Sequence, residues 1–64
     1  MSAWTRATMR LPATRDPIAA AWFLDIAARR HVGGRADIKR PSRATLELLA
    51  AGEWAVVEVR RAAR

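Results

Sequence analysis

From residue 3 to residue 11 apolar and polar positions alternate. Thr5, Ala7, Met9 and Leu11 fall on one side, and Trp4, Arg6, Thr8 and Arg10 on the other. A period of two marks a strand with one side inward and one outward, here with a basic, aromatic outward side. Pro12 ends the run because it brings no N–H to a ladder. Residues 12 to 15 then read as a short connection.

The next segment, Asp16 to Gly34, changes to the helical period and has both ends marked. Asp16 caps the first free N–H groups, and Pro17 sits where its missing donor costs nothing. Gly33 or Gly34 supplies the left-handed residue that ends a helix, with Arg29, Arg30 and His31 facing the negative end of the dipole. At ~100° per residue, Ala20, Phe23, Leu24, Ala27 and Ala28 share one face. Ile18, Trp22 and Ile26 lie on another, beside Asp25, Arg29 and Arg30. Two apolar faces imply a helix touched from two sides. The second side is covered either by the other helix of this chain or by another molecule.

Residues 35 to 40 fit either a short edge strand, with Ala36 and Ile38 inward, or a loop. Pro41 keeps Arg40 out of the helical region. Ser42 reads as the cap of a second helix over residues 43 to 51, with Gly52 at its end. Leu46, Leu49 and Ala50 lie on one face of that helix, with Leu48 wider of it. Residues 53 to 61 return to alternation, with Ala55, Val57 and Val59 one way and Trp54, Val56, Glu58 and Arg60 the other. Their β-branched content favours a strand, and residues 62 to 64 are expected to fray. The order β-α-(β)-α-β over residues 1 to 64 predicts one small two-layer α+β domain. In it the terminal strands pair, and both helices lie on one face. Such pairing would put Trp4, Arg6, Arg10, Trp54, Val56 and Arg60 on the outer sheet face, where Glu58 offsets an arginine.

Size changes what this fold can be. A domain of about 64 residues buries only ~60% of the surface its unfolded chain exposes. Small domains therefore lean on disulfides, a metal or a partner. The chain has no cysteine and one histidine, so a partner is the expected support and no cofactor is expected. Twelve Lys and Arg against six Asp and Glu give a formal charge of +6. That field attracts acidic proteins, phosphates and anionic membranes alike. Eleven of the twelve cations are arginine, and Asn, Gln and Tyr are absent, a bias typical of GC-rich coding. No secretory signal stands at the start, and no apolar run approaches the ~20 residues that cross a bilayer. A cytoplasmic protein without a membrane role is expected.

No motif names a reaction. His31 lacks a second acid–base group placed by the sequence, so an RNase-like site with Arg29, Arg30 or Arg35 finds little support. Gly33-Gly34 follows a helix and lacks the rest of a phosphate loop. The connection between the helices is too long for a helix-turn-helix. What remains is surface. Arg29, Arg30, Arg35, Lys39, Arg40 and Arg43 crowd the region joining the helices, and Trp4, Arg6 and Arg10 share the outward side of the first strand. Arg with Trp suits a protein interface, in which Ile18, Trp22 and Ile26 form an apolar anchor with Arg29 and Arg30 at its rim. The same residue types stack bases and neutralise phosphates. The expectation is a non-enzymatic adaptor or inhibitor that docks on the acidic surface of a larger protein or nucleoprotein complex, with direct nucleic-acid binding as the alternative and self-association a further option. In size and charge alone the chain is analogous to small inhibitors encoded by phages and mobile elements, anti-CRISPR proteins among them.

Overall fold

The computed structural model describes residues 3 to 63. Three strands and two helices follow in the order β1 (Thr5–Met9), α1 (Pro17–Val32), β2 (Ala36–Ile38), α2 (Arg43–Ala50) and β3 (Ala55–Arg61). The sheet order is β1-β3-β2, with β3 antiparallel to both neighbours. The strand formed last in the chain is therefore central. The fold is the expected small α+β domain with paired terminal strands, and the doubtful run at residues 36 to 38 is a strand.

Ala7 faces Val57 and Met9 faces Ala55 across the β1–β3 ladder. These four residues, with Leu11 and Val59, form the buried side of the sheet. Thr5 has the same parity but lies exposed near the sheet end. Leu24 and Ala28 of α1 and Leu49 of α2 complete the core, with Phe23, Ala27 and Ile38 packed against it. The alanine-rich face of α1 thus rests on the sheet, since small side chains let backbones approach closely. Leu46 departs from expectation: it is 47% exposed, and only Leu49 of the α2 leucines is buried.

The ends are held as their residues dictate. The Ile18 N–H donates to Asp16 Oδ1 at 3.0 Å, and the Thr45 N–H to Ser42 Oγ at 3.2 Å. Gly33 closes α1 at φ 74°, its N–H donating to the Arg29 carbonyl at 2.9 Å. Helix α2 stops at Ala50, one residue short of the expected end, and Gly52 takes φ 76°. Ala62 is tied to the sheet by its N–H, which donates to the Arg35 carbonyl at 2.8 Å, so fraying does not begin there. Arg64 lies outside the described residues.

Candidate functional site

Two surfaces combine exposed aromatic and basic side chains, and they lie on opposite sides of the molecule. The first is the outer face of the sheet, which no helix covers. Alternation puts Val56, Glu58 and Arg60 of β3 on it, with Arg6 opposite Glu58 and Thr8 opposite Val56 on β1. At one end the Arg60 guanidinium lies 4.2 Å from the centroid of the Trp4 ring, and its Nε donates to Asp37 Oδ2 at 3.3 Å. Beside it Lys39 Nζ pairs with Glu58 Oε2 at 3.2 Å. At the other end Trp54 is 61% and Val56 50% exposed. Arg10 sits at this end with its Nε bonded to the Gly52 carbonyl at 2.8 Å.

The face is thus divided. Around Trp4 the charges neutralise one another, whereas Trp54 and Val56 make an apolar end with Arg10 beside it, and Arg6 lies farther along β1 opposite Glu58. Two sheet-face carboxylates, Asp37 and Glu58, are already engaged with Arg60 and Lys39. Exposed pairs of this kind contribute about 0–1 kcal/mol each to stability, but they lower the net field that a polyanion would feel.

The second surface is on α1, and the structure splits the expected Ile18, Trp22, Ile26 stripe. Ile18 is 81% and Trp22 65% exposed, so α2 does not cover them. Ile26 is half-buried and turns away with Phe23 and Arg30 into a shallow depression against Leu11 and Pro12. At ~100° per residue Ile26 lies about 80° beyond Ile18, enough for the chain after β1 to reach it. Arg29 is held by Asp25 at 3.0 Å, one helical turn back. The expected rim of Arg29 and Arg30 is therefore divided between two sides of the helix. Round the other way from Trp22, Pro17, Ala20, Ala21 and Leu24 face Leu46 and Leu49 across an open, apolar groove of about 350 Å³.

The arginine cluster expected between the helices is dispersed by β2. Lys39 joins the sheet face, and Arg43 pairs with Glu47 at 3.7 Å on α2. Arg6, Arg15, Arg30, Arg35 and Arg40 form no ion pair among the described residues. His31 is exposed in the last turn of α1. Among the described residues no three His, Cys, Asp or Glu side chains are grouped to hold a metal ion, and no helix is long and apolar enough to cross a membrane. The sequence understated Leu46, whose helical position marks it for the core. Leu49 alone of the α2 leucines is buried in the core, and Leu46 is left on the wall of the open groove facing α1, a placement set by the distant helix and not by any local pattern. No protein family, curated protein or solved structure matches this chain.

Proposed function

We propose that the chain is a non-enzymatic binding protein, an adaptor or inhibitor, that docks its open sheet face on an acidic patch of a larger protein assembly. The supporting observation is Trp54, just before the central strand, and Val56 on it, both at least half exposed, with Arg10 just past the end of β1 at the same end of the sheet and Arg6 farther along that strand. An exposed apolar pair on an uncovered sheet face marks a candidate interface, and tryptophan with a nearby arginine is the composition of an interface hot spot. The cytoplasm is the compartment we propose for it.

Direct nucleic-acid binding would use the same arginines. The self-neutralised half of the face argues for a protein partner: with Arg6 and Arg10 as its uncompensated cations, the face offers about two phosphate contacts, too few for strong polyanion binding. Immobilised wild-type chain and the Trp54→Ala and Arg6→Glu variants, exposed to host lysate with and without nuclease treatment, test the proposal. We expect a nuclease-resistant protein partner whose affinity falls about 30-fold or more on Trp54→Ala, the fold-change of a hot-spot residue. Binding unchanged in both variants, with their circular dichroism intact, or recovery of nucleic acid alone, would overturn it.

A further inference from the structure

We propose that the free edge of β1 takes an extended acidic segment of a partner protein as a fourth, antiparallel strand. The inference rests on the reading of the chain as a protein-binding module and names the form its partner takes. It uses the edge of the sheet, whereas that reading uses the outer face.

The backbone supplies the first observation. The Lys39 N–H donates to the Glu58 carbonyl at 2.9 Å, and the Ala62 N–H to the Arg35 carbonyl at 2.8 Å. Backbone groups alternate sides along a strand, so Glu58 and Arg60 turn theirs toward β2, and Ala55, Val57 and Val59 theirs toward β1. In the observed register those three meet Met9, Ala7 and Thr5. Arg6 and Thr8 are left with N–H and C=O groups aimed away from the sheet, and β1 has no neighbouring strand on that side among the described residues. An antiparallel strand that met both residues would form about four backbone hydrogen bonds with them.

Charge selects the occupant. Edge strands are ordinarily blunted by shortness, proline, a bulge or charged side chains. The β2 edge is three residues long, Pro41 follows it closely, and Asp37 and Lys39 already have ion-pair partners. The β1 edge runs five residues in unbroken register without proline, and its guard is charge alone. Neither Arg6 nor Arg10 has a carboxylate partner among the described residues. A second copy of this chain, laid antiparallel with Thr8 on Thr8, would set each Arg6 opposite an Arg10, and like charges directly opposite are unfavourable. A segment with acidic residues four apart sets a carboxylate opposite each arginine instead.

The helix side of the same edge supplies the third observation. The depression between the end of β1 and α1, about 420 Å³, is walled by Leu11, Pro12, Phe23 and Ile26 and by the exposed Arg30, and no residue of β2 or β3 lines it. It therefore opens beside the free edge. Successive side chains of an added strand point to opposite faces, so those between the carboxylates turn to the helix side. The one opposite Leu11 reaches this apolar surface. The occupant thus alternates acidic and apolar residues.

The terminally blocked peptide Leu-Glu-Val-Thr-Val-Glu-Thr carries that pattern, its leucine set opposite Leu11 and its glutamates opposite Arg10 and Arg6. Titrated to about 1 mM into the isotope-labelled full chain, it should bind saturably. Amide exchange at Arg6 and Thr8 should slow at least about tenfold, because both N–H groups gain a partner. The same peptide with lysines for glutamates should bind wild type at least about tenfold more weakly, and should bind Arg6→Glu better than the glutamate peptide does. Thr8→Pro removes an edge donor that the β1–β3 ladder does not use, and should weaken binding by about tenfold. Arg6→Glu leaves the backbone untouched and carries the test if the proline variant does not fold.

Absence of saturable binding, binding that leaves the Arg6 and Thr8 amides exchanging as before, or equal binding of the lysine peptide overturns the proposal. So does slow exchange at these amides in concentrated wild-type chain without peptide, which would give the edge to a second copy. Failure of the peptide while a lysate partner still depends on Trp54 removes the edge strand and leaves the outer-face reading standing. Peptide binding with no such partner does the reverse.

Discussion

Arg61 closes the far end of α1: its Nη2 donates to the Gly33 carbonyl at 2.9 Å. The last residue of the central strand thereby satisfies a carbonyl that the helix end leaves without a partner, and places a positive charge at the negative end of the dipole. Arg61→Ala should cost about 1 kcal/mol, the scale of one exposed, charge-assisted bond. For a domain of this size that corresponds to a fall in Tm of about 4–8 °C. Arg61→Lys should recover part of it, because the ammonium restores the charge without the planar fork. Thermal melts of the three proteins decide the point.

Two glycines should answer differently to alanine. Gly52 sits at φ 76°, and an added Cβ would lie 3.2 Å from the Ala13 Cβ, so Gly52→Ala meets both backbone strain and a crowded neighbour. A loss of about 1–2 kcal/mol from the left-handed conformation alone is expected, and the contact adds to it. At Gly34 the φ is ordinary, and the nearest atom to an added Cβ is Nη2 at the far end of the long Arg61 side chain, 3.4 Å away, an ordinary van der Waals distance. Gly34→Ala should therefore stay within about 0.5 kcal/mol of wild type in urea unfolding. Equal losses at both positions would show that the α2–β3 turn is not constrained as described.

Arg60 is shared between an aromatic ring and a carboxylate, and the two contacts should separate by salt. A double-mutant cycle of Trp4→Ala with Arg60→Met should give a coupling of about 0.5–1 kcal/mol that persists at high ionic strength. The cycle of Asp37→Asn with Arg60→Met should shrink as salt is raised, since both partners are partly exposed.

Leu49 is the buried leucine that joins α2 to the sheet. Leu49→Ala should cost about 2–5 kcal/mol. Domains hold roughly 0.05–0.15 kcal/mol per residue, so this loss approaches the whole stability of 64 residues. Leu46→Ala, three residues earlier and half exposed, should cost less than about 1 kcal/mol. A comparison of urea midpoints separates the two leucines.

Local rules carried the elements well. Asp16, Ser42 and Gly33 announce their ends through capping chemistry that needs no tertiary partner, and the alternation of Ala55, Val57 and Val59 against Val56 and Glu58 places each side chain on its observed face. The unreadable parts depend on distant neighbours. Residues 36 to 38 become a strand because Val59, Arg60 and Arg61 offer them a ladder, since three residues carry no usable preference of their own. Ile26 leaves the exposed stripe because Leu11 and Pro12 arrive beside it. The stacking of Arg60 on Trp4 requires the register that sets Thr5 opposite Val59, a pairing across most of the chain.

The central position of β3 has a consequence for how the molecule comes into being. Neither β1 nor β2 pairs with anything except β3, so none of the sheet's ladders exists before residue 55 has been synthesised. On the ribosome, β1 waits as an open strand through the making of both helices, and a message broken before Ala55 yields helices with nothing to rest on. Such long-range closure slows folding relative to a helical bundle of equal length. Chains lacking β3 leave Leu24, Leu49 and Met9 without the strand residues they pack against.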